Sequence, residues 1–135
     1  MQLIIFRLEK EYFGCDLKTL REIHRRGPVT PVPRAPSHIE GVSNLRGIIM
    51  PVIDLRKRLG FPLAVPDKNF RVIVVEEEGE IIGFEIDCVK EIVKTESSAV
   101  LPYDGSLELK SKEAVWGMLR HPLGLVTLLN LKSLI

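Results

Sequence analysis

Short apolar runs with a period of two, punctuated by Gly, Pro, Asn and Asp, fill this chain and commit it to sheet. In Leu3 to Leu8, Leu3 and Ile5 share one face while Ile4, Phe6 and Leu8 share the other. Phe13, Cys15 and Leu17 continue the alternation after a tight turn at Glu9 to Glu11, so the two runs read as a hairpin. Val42 to Leu45 and Ile48 to Ile53 read as a second hairpin, turned at Arg46-Gly47 with glycine where a positive φ is needed. Pro51 within that run places it at an edge or a bulge, because proline has no N–H to give a ladder. Phe70 to Val75 is apolar on both faces, the pattern of a strand held between two layers. Glu80 to Asp87 and Val89 to Val93 follow, with Glu78-Gly79 turning the first of them back. Ala114 to Leu119 and Leu123 to Leu129 form a last hairpin around His121-Pro122. About nine or ten short strands at this spacing predict an all-β barrel or sandwich.

Helical signals are few. The spacing of Leu17, Leu20 and Ile23-His24 is near 3.6 and predicts a short helical turn or bend, stopped by Gly27-Pro28. Pro28, Pro31, Pro33 and Pro36 make the next piece an extended edge or a loop. Ser37 with Glu40 three residues on has the form of a capping box and predicts one helical turn. Asp54 is placed to cap a helix over Leu55 to Leu59, with Gly60 as its stop. Residues 60–69 read as a loop, and residues 95–113 as polar, irregular and mobile. Asn130 is placed to cap a final turn ending at Ile135.

A chain of 135 residues is one domain, 1–135, large enough to bury a core without staples. Its 45% apolar and 27% charged residues exclude disorder as a whole-chain reading. The net charge of +1 argues against a dedicated nucleic-acid binder. Charge is nevertheless uneven: residues 1–60 carry a balance of +5 and residues 61–135 a balance of −4. The basic part gathers at Arg21, Arg25, Arg26 and at Arg56, Lys57, Arg58, and the acidic part at Glu76, Glu77, Glu78 and Glu80. Each cluster reads first as a solvated turn, although such asymmetry also orients partners. Two cysteines do not make a disulfide scaffold, and the longest stretch without Asp, Glu, Lys or Arg is 11 residues, against the ~20 a membrane helix needs. Met1 to Lys10 meets charge by Arg7 and shows no small-residue cleavage site, so it does not read as a signal peptide. A cytoplasmic protein with no direct membrane insertion is the expectation.

The familiar catalytic and ligand patterns are absent. His24, His38 and His121 stand apart in turn or loop contexts, and no metal spacing such as C-x-x-C or H-E-x-x-H occurs. Cys15 lies in an alternating apolar strand and reads as a buried thiol, while Asp87 beside Cys88 disfavours a thiolate there. There is no G-x-S-x-G and no phosphate loop. No catalytic residue, cofactor or metal is expected.

What remains is the segment V-T-P-V-P-R-A-P-S-H-I-E-G-V-S-N-L-R-G-I-I-M-P-V-I-D-L-R-K-R-L-G from Val29 to Gly60. Its threonine-proline entry, G-V-S-N-L-R-G turn, I-M-P-V-I-D-L strand and capped helix resemble the CheW-type chemotaxis coupling domain. That domain also occurs in the regulatory part of the CheA histidine kinase and in CheV. The E-I at Glu22-Ile23, I-I-G-F-E-I-D-C-V at Ile81 to Val89 and the closing L-V-T-L-L-N-L-K-S-L-I extend the resemblance over nearly the whole chain.

The resemblance implies a fold of two interlocked five-stranded SH3-like β-barrels around a shared apolar core, with one or two short helices. It implies no enzyme activity. It implies instead a scaffold that binds the cytoplasmic hairpin tip of a chemoreceptor and the regulatory domain of the CheA kinase, with assembly into rings or lattices at receptor clusters on the inner membrane face. Carried over by position, Glu22, Asn44, Arg46 and Gly47 match motif positions near the receptor and kinase surfaces. Leu20, Gly41, Val42 and Val89 match positions linked to the receptor groove. Gly41 and Gly47 also have a backbone reading, Leu20 and Val42 a core reading, and Arg46 a solvated-turn reading. A bridge between Glu22 and Arg46 is conceivable. Glu85 stands where the family usually has an aliphatic residue, so a carboxylate facing the receptor groove would alter which receptor fits. Asn130 replaces a frequent Asp and is expected to cap in its place. The absence of extensions reads as a free-standing adaptor. Two other readings stand beside it: a CheW-like adaptor of a non-flagellar motility or other pathway, and a nucleic-acid-binding β-barrel using the arginine clusters.

Overall fold

The computed structural model describes residues 1–135, which form two five-stranded sheets and one short α-helix. The strands are β1 (Gln2–Leu8), β2 (Glu11–Asp16), β3 (Leu20–Arg25), β4 (Ile39–Leu45) and β5 (Ile48–Asp54). After helix α1 (Leu55–Leu59) come β6 (Arg71–Glu77), β7 (Glu80–Ile86), β8 (Cys88–Lys94), β9 (Val115–His121) and β10 (Gly124–Leu129). The first sheet runs β8-β1-β2-β10-β9 and the second β3-β6-β7-β5-β4. Both share one pattern: three antiparallel pairings and one parallel pairing, β2 with β10 in the first and β5 with β7 in the second. The whole second sheet is inserted in sequence between β2 and β8, so the first is built from chain segments on both sides of the second. This interlocking agrees with the SH3-like two-unit expectation.

The two-faced strands hold the sheets together. On β1, Ile4, Phe6 and Leu8 enter a large central cluster, while Leu3 and Ile5 enter a smaller one with Leu119, Val126 and Leu128. On β6, Ile73 and Val75 enter the same central cluster, while Val72 and Val74 join Met50, Val52 and Ile81 in the core of the second sheet. Each sheet thus has its own small core on one face and a common one on the other, which is why the middle of each strand is apolar on both faces. Phe6 stacks on Phe13 with ring centroids 6.0 Å apart, and Phe61 meets Phe13 edge-on at 5.9 Å, two favoured aromatic geometries.

Local chemistry explains several elements. Asp54 caps α1, its carboxylate accepting from the Arg56 and Lys57 N–H groups, and Gly60 ends it at φ 92°. Pro51 lies opposite Val42, whose own N–H and C=O both bond Thr30 on the other edge of β4. The proline nitrogen therefore faces away from β4, and the parallel pairing to β7 begins one residue later at Val52. A residue without an N–H is tolerated because nothing there requires one.

Four expectations are corrected. Leu17 to Thr19 is a 3₁₀ turn, but Leu20 to Arg25 is strand β3, since pairing to β6 outweighs a weak helical spacing. Ser37 and His38 form a turn that leads straight into β4, so Glu40 is a strand residue and no capping box forms. Asn130 precedes the closing 3₁₀ turn Leu131–Leu134 but makes no side-chain cap bond; its backbone holds the turn instead, the N–H donating to the Ala114 carbonyl and the C=O accepting from the Ser133 N–H. Residues 95–113 are irregular, yet Leu101 pairs with Met118 and short 3₁₀ turns form at Ser97–Ala99 and Lys112–Ala114.

Candidate functional site

The turn between β4 and β5 is built for exposure. Arg46 and Gly47 both have left-handed backbone, φ 50° and 85°, the form whose twist suits a two-residue hairpin. The Asn44 side-chain oxygen accepts from the Gly47 N–H at 2.8 Å and pins the turn. Arg46 is thereby held outward, with 62% of its side chain exposed. It reaches back across the sheet to Glu22 on β3, Nη2 to Oε1 at 2.5 Å. His24 Nε2 lies 2.9 Å from the same oxygen. His24 first and Arg46 second hold the Glu22 carboxyl below its usual range.

This cluster ties together the two edge strands of the second sheet, β3 and β4, which share no backbone pairing. The first sheet has a counterpart in the His121–Glu91 pair, which joins the end of β9 to β8, again the two edges. Beside the Arg46 turn, Ile48 and Ile49 are 52% and 63% exposed, an apolar spot next to a charged rim. A hollow of about 180 Å³ between β3 and β4 is lined by His24, Arg25, Asn44, Leu45, Met50 and Val72 among others.

The other expected residues lie elsewhere. Gly41 is buried, and a Cβ there would sit 2.2 Å from the Thr30 carbonyl oxygen, so its first duty is a close backbone approach. Val42, partly buried, exchanges both backbone bonds with Thr30 at 2.8 and 2.9 Å. Leu20 on β3 and Val89 on β8 are partly buried and pack on the central cluster from opposite sheets. Glu22, Asn44, Arg46 and Gly47 thus share one place, Gly41 and Val42 lie further along β4, and Leu20 and Val89 border the junction of the sheets.

The sequence reading missed two ion networks. Arg56, read as a solvated cation, is buried: Nε and Nη2 donate to Asp87 at 2.7 and 2.5 Å, and Nη1 donates to Glu9 at 2.6 Å and to the Pro62 carbonyl at 2.9 Å. Asp87 also accepts the Glu9 N–H at 2.9 Å. The network fastens α1 to the turn after β1 and to the β7–β8 junction. Hydrogen bonding to Asp87 holds the Arg56 guanidinium protonated far above even its ordinary range. Arg26, also read as solvated, donates to Glu40 at 2.5 Å and Glu85 at 2.7 Å. Glu85 is 4% exposed, so it faces neither a groove nor solvent. Arg21 meets Glu76 at 2.9 Å, and Arg58 is tied to the Leu134 carbonyl and Ser111. Arg26, Arg56 and Arg58 are held within the fold and Arg21 pairs with Glu76 at the surface, which reduces the free cationic surface open to a nucleic-acid reading. The one signal available was the isolated Glu85 and Asp87 in apolar runs, since a buried carboxylate requires a partner.

The groups with displaced acidity are scattered, and the two that share a hollow, Tyr103 and Asp104, are neighbours in an exposed loop. Cys15 is 1% exposed and burial, aided by Asp16, pushes its thiol up to about 12. Burial raises Asp54, the helix cap, and Glu85 within its ion cluster. No helix is long and apolar enough to cross a membrane.

Comparison with known proteins fits this architecture. The model of the CheW-like domain matches residues 2–135. The Chemotaxis protein CheW of Rhizobium meliloti is 34% identical over 101 residues, covering 75% of this chain and 65% of that protein. The Probable chemotaxis protein CheW of Rhizobium etli is 29% identical over 133 residues, covering 98% of this chain and 86% of that one. The crystal structure of the scaffolding protein TtCheW from Thermoanaerobacter tengcongensis superposes with a TM-score of 0.89 at 30% identity, covering 98% of this chain and 86% of that chain. With the family model spanning residues 2–135 and the fold matched at a TM-score of 0.89, this protein belongs to the CheW-like domain family.

Proposed function

We propose that this protein is a non-enzymatic scaffold of chemotaxis signalling that couples chemoreceptors to the CheA histidine kinase. The observation that carries the reading is the match to the CheW-like domain along 2–135 together with the likeness to a scaffolding CheW structure. The geometry supports it. The Arg46 turn offers a cation pre-set by Asn44 and Glu22 beside exposed Ile48 and Ile49, an apolar spot with a polar rim as interfaces have. In this reading Leu20 and Val89, at the junction of the sheets, border the groove for the receptor's cytoplasmic hairpin tip. Glu22, Asn44, Arg46 and Gly47 face the receptor or the kinase regulatory domain, and Gly41 and Val42 hold β4 in place for them. The scaffold acts on the cytoplasmic side at receptor clusters, within rings or lattices.

The test is Arg46→Asp in a reconstituted assay of receptor-controlled kinase autophosphorylation. Receptor control is lost while the circular dichroism spectrum is unchanged, because the arginine contacts no buried group. Intact control would remove Arg46 from the interface.

A further inference from the structure

The loop from Arg26 to Glu40 is a strap across the edge of the second sheet. Four prolines stiffen it, and it touches β4 through the reciprocal Thr30–Val42 bonds, against the bare Gly41 backbone. Its two ends are clipped together by Arg26 and Glu40, 2.5 Å apart. Behind the clip lies Glu85 of β7, which takes the Arg26 Nε–H at 2.7 Å. One guanidinium therefore serves two carboxylates, one of them almost fully buried. The second oxygen of Glu40, also buried, has no donor at all.

The other groups facing this cluster make it no less acidic. Asp54, at the end of β5, stands opposite Glu85 in the β5–β7 register and carries a third carboxylate. On β6, Val72 stands opposite Glu85 and brings no charge. Two carboxylates on one cation leave a buried excess negative charge unless a proton is shared between them.

We propose that Arg26, Glu40 and Glu85 form a proton-operated latch on the proline strap, closed while the carboxyl pair holds one proton and loosened when that proton leaves to solvent. In the closed state the proton supplies the donor Glu40 lacks, and Arg26 bridges both residues. In the open state the two carboxylates repel across one guanidinium, and the strap's clip is the weakest member of the cluster. Burial first, and then Glu40, push the Glu85 carboxyl up to about 8, which sets the window in neutral to mildly alkaline solution. A raised carboxyl stabilises the closed form fully below its unfolded range, and that stabilisation is lost as pH rises through the folded value.

The experiment is amide hydrogen exchange by NMR between about pH 6 and pH 9, corrected for the intrinsic rate. The amides of Thr30 and Val42 report the strap. Those of Leu101 and Met118, which make the equivalent reciprocal bonds in the other sheet, serve as the internal reference. The latch predicts that Thr30 and Val42 lose about a hundredfold more protection than the reference pair between about pH 6 and pH 9, most of it by about pH 8 and little beyond, because the loss stops once the closed form has also given up its proton. Glu85→Gln abolishes the difference. If Glu85→Gln does not fold, Glu40→Gln makes the same test, because it removes the repulsion and leaves Arg26 wholly to Glu85. Equal pH dependence in the two amide pairs, or a difference that survives the folded variant, overturns the proposal. No partner protein is involved, so the outcome is independent of the scaffold assignment.

Discussion

Arg56→Met is expected to be among the most damaging single replacements in this protein. Wild-type Arg56 gives Asp87 two hydrogen bonds, at 2.7 and 2.5 Å, and both side chains are more than nine-tenths buried. Removing the guanidinium leaves Asp87 with the Glu9 N–H alone. An unpaired buried carboxylate of this kind costs about 3–5 kcal/mol, a large part of the ~5–15 kcal/mol by which a domain is stable. Glu9 is partly exposed and recovers water, so its loss adds little. With a urea slope near 2 kcal/mol/M, the unfolding midpoint falls by roughly 2 M. Adding Asp87→Leu to Arg56→Met removes the stranded charge and restores most of the loss. Urea unfolding of the parent, the single and the double variant decides the matter. A single variant within about 1 kcal/mol of the parent, or a double variant no better than the single, would refute the reasoning.

The remaining expectations concern backbone and caps. Gly41→Ala forces a Cβ onto the Thr30 carbonyl, 2.2 Å away, and should lower stability by roughly 1–3 kcal/mol with selective loss of Thr30 and Val42 amide protection. Asp54→Ala should cost about 1 kcal/mol in thermal or urea unfolding, whereas Asn130→Ala, which breaks no cap bond, should stay within about 0.5 kcal/mol. Cys15, buried and with its thiol pushed up to about 12, should resist iodoacetamide at neutral pH until the protein is unfolded, as read by mass spectrometry.

The strands were legible because period-two patterning is a local signal. The opposite faces of Leu3, Ile5 and Ile4, Phe6, Leu8 in β1 were readable in sequence and are the faces the two clusters use. The Asp54 cap, the Gly60 stop and the Arg46-Gly47 turn were equally local. What escaped the sequence depends on tertiary pairing. β3 carries a near-helical spacing that its ladder with β6 overrules, and Ser37 is drawn into a turn by the strap. Arg26 and Arg56 looked like surface cations because their partners, Glu85 and Asp87, lie 59 and 31 residues away. The Glu22–Arg46 bridge was imaginable from sequence, but His24 as its third member needed the strand geometry that puts both on one face of β3.

The central claim is that two different proteins grip this domain at the same time. The most direct measurement is a calorimetric titration of a chemoreceptor tip into the protein already saturated with the CheA regulatory domain. The account predicts saturable binding and a ternary complex that runs as one species on size exclusion. Absence of binding to either partner, or displacement of one by the other, would contradict it.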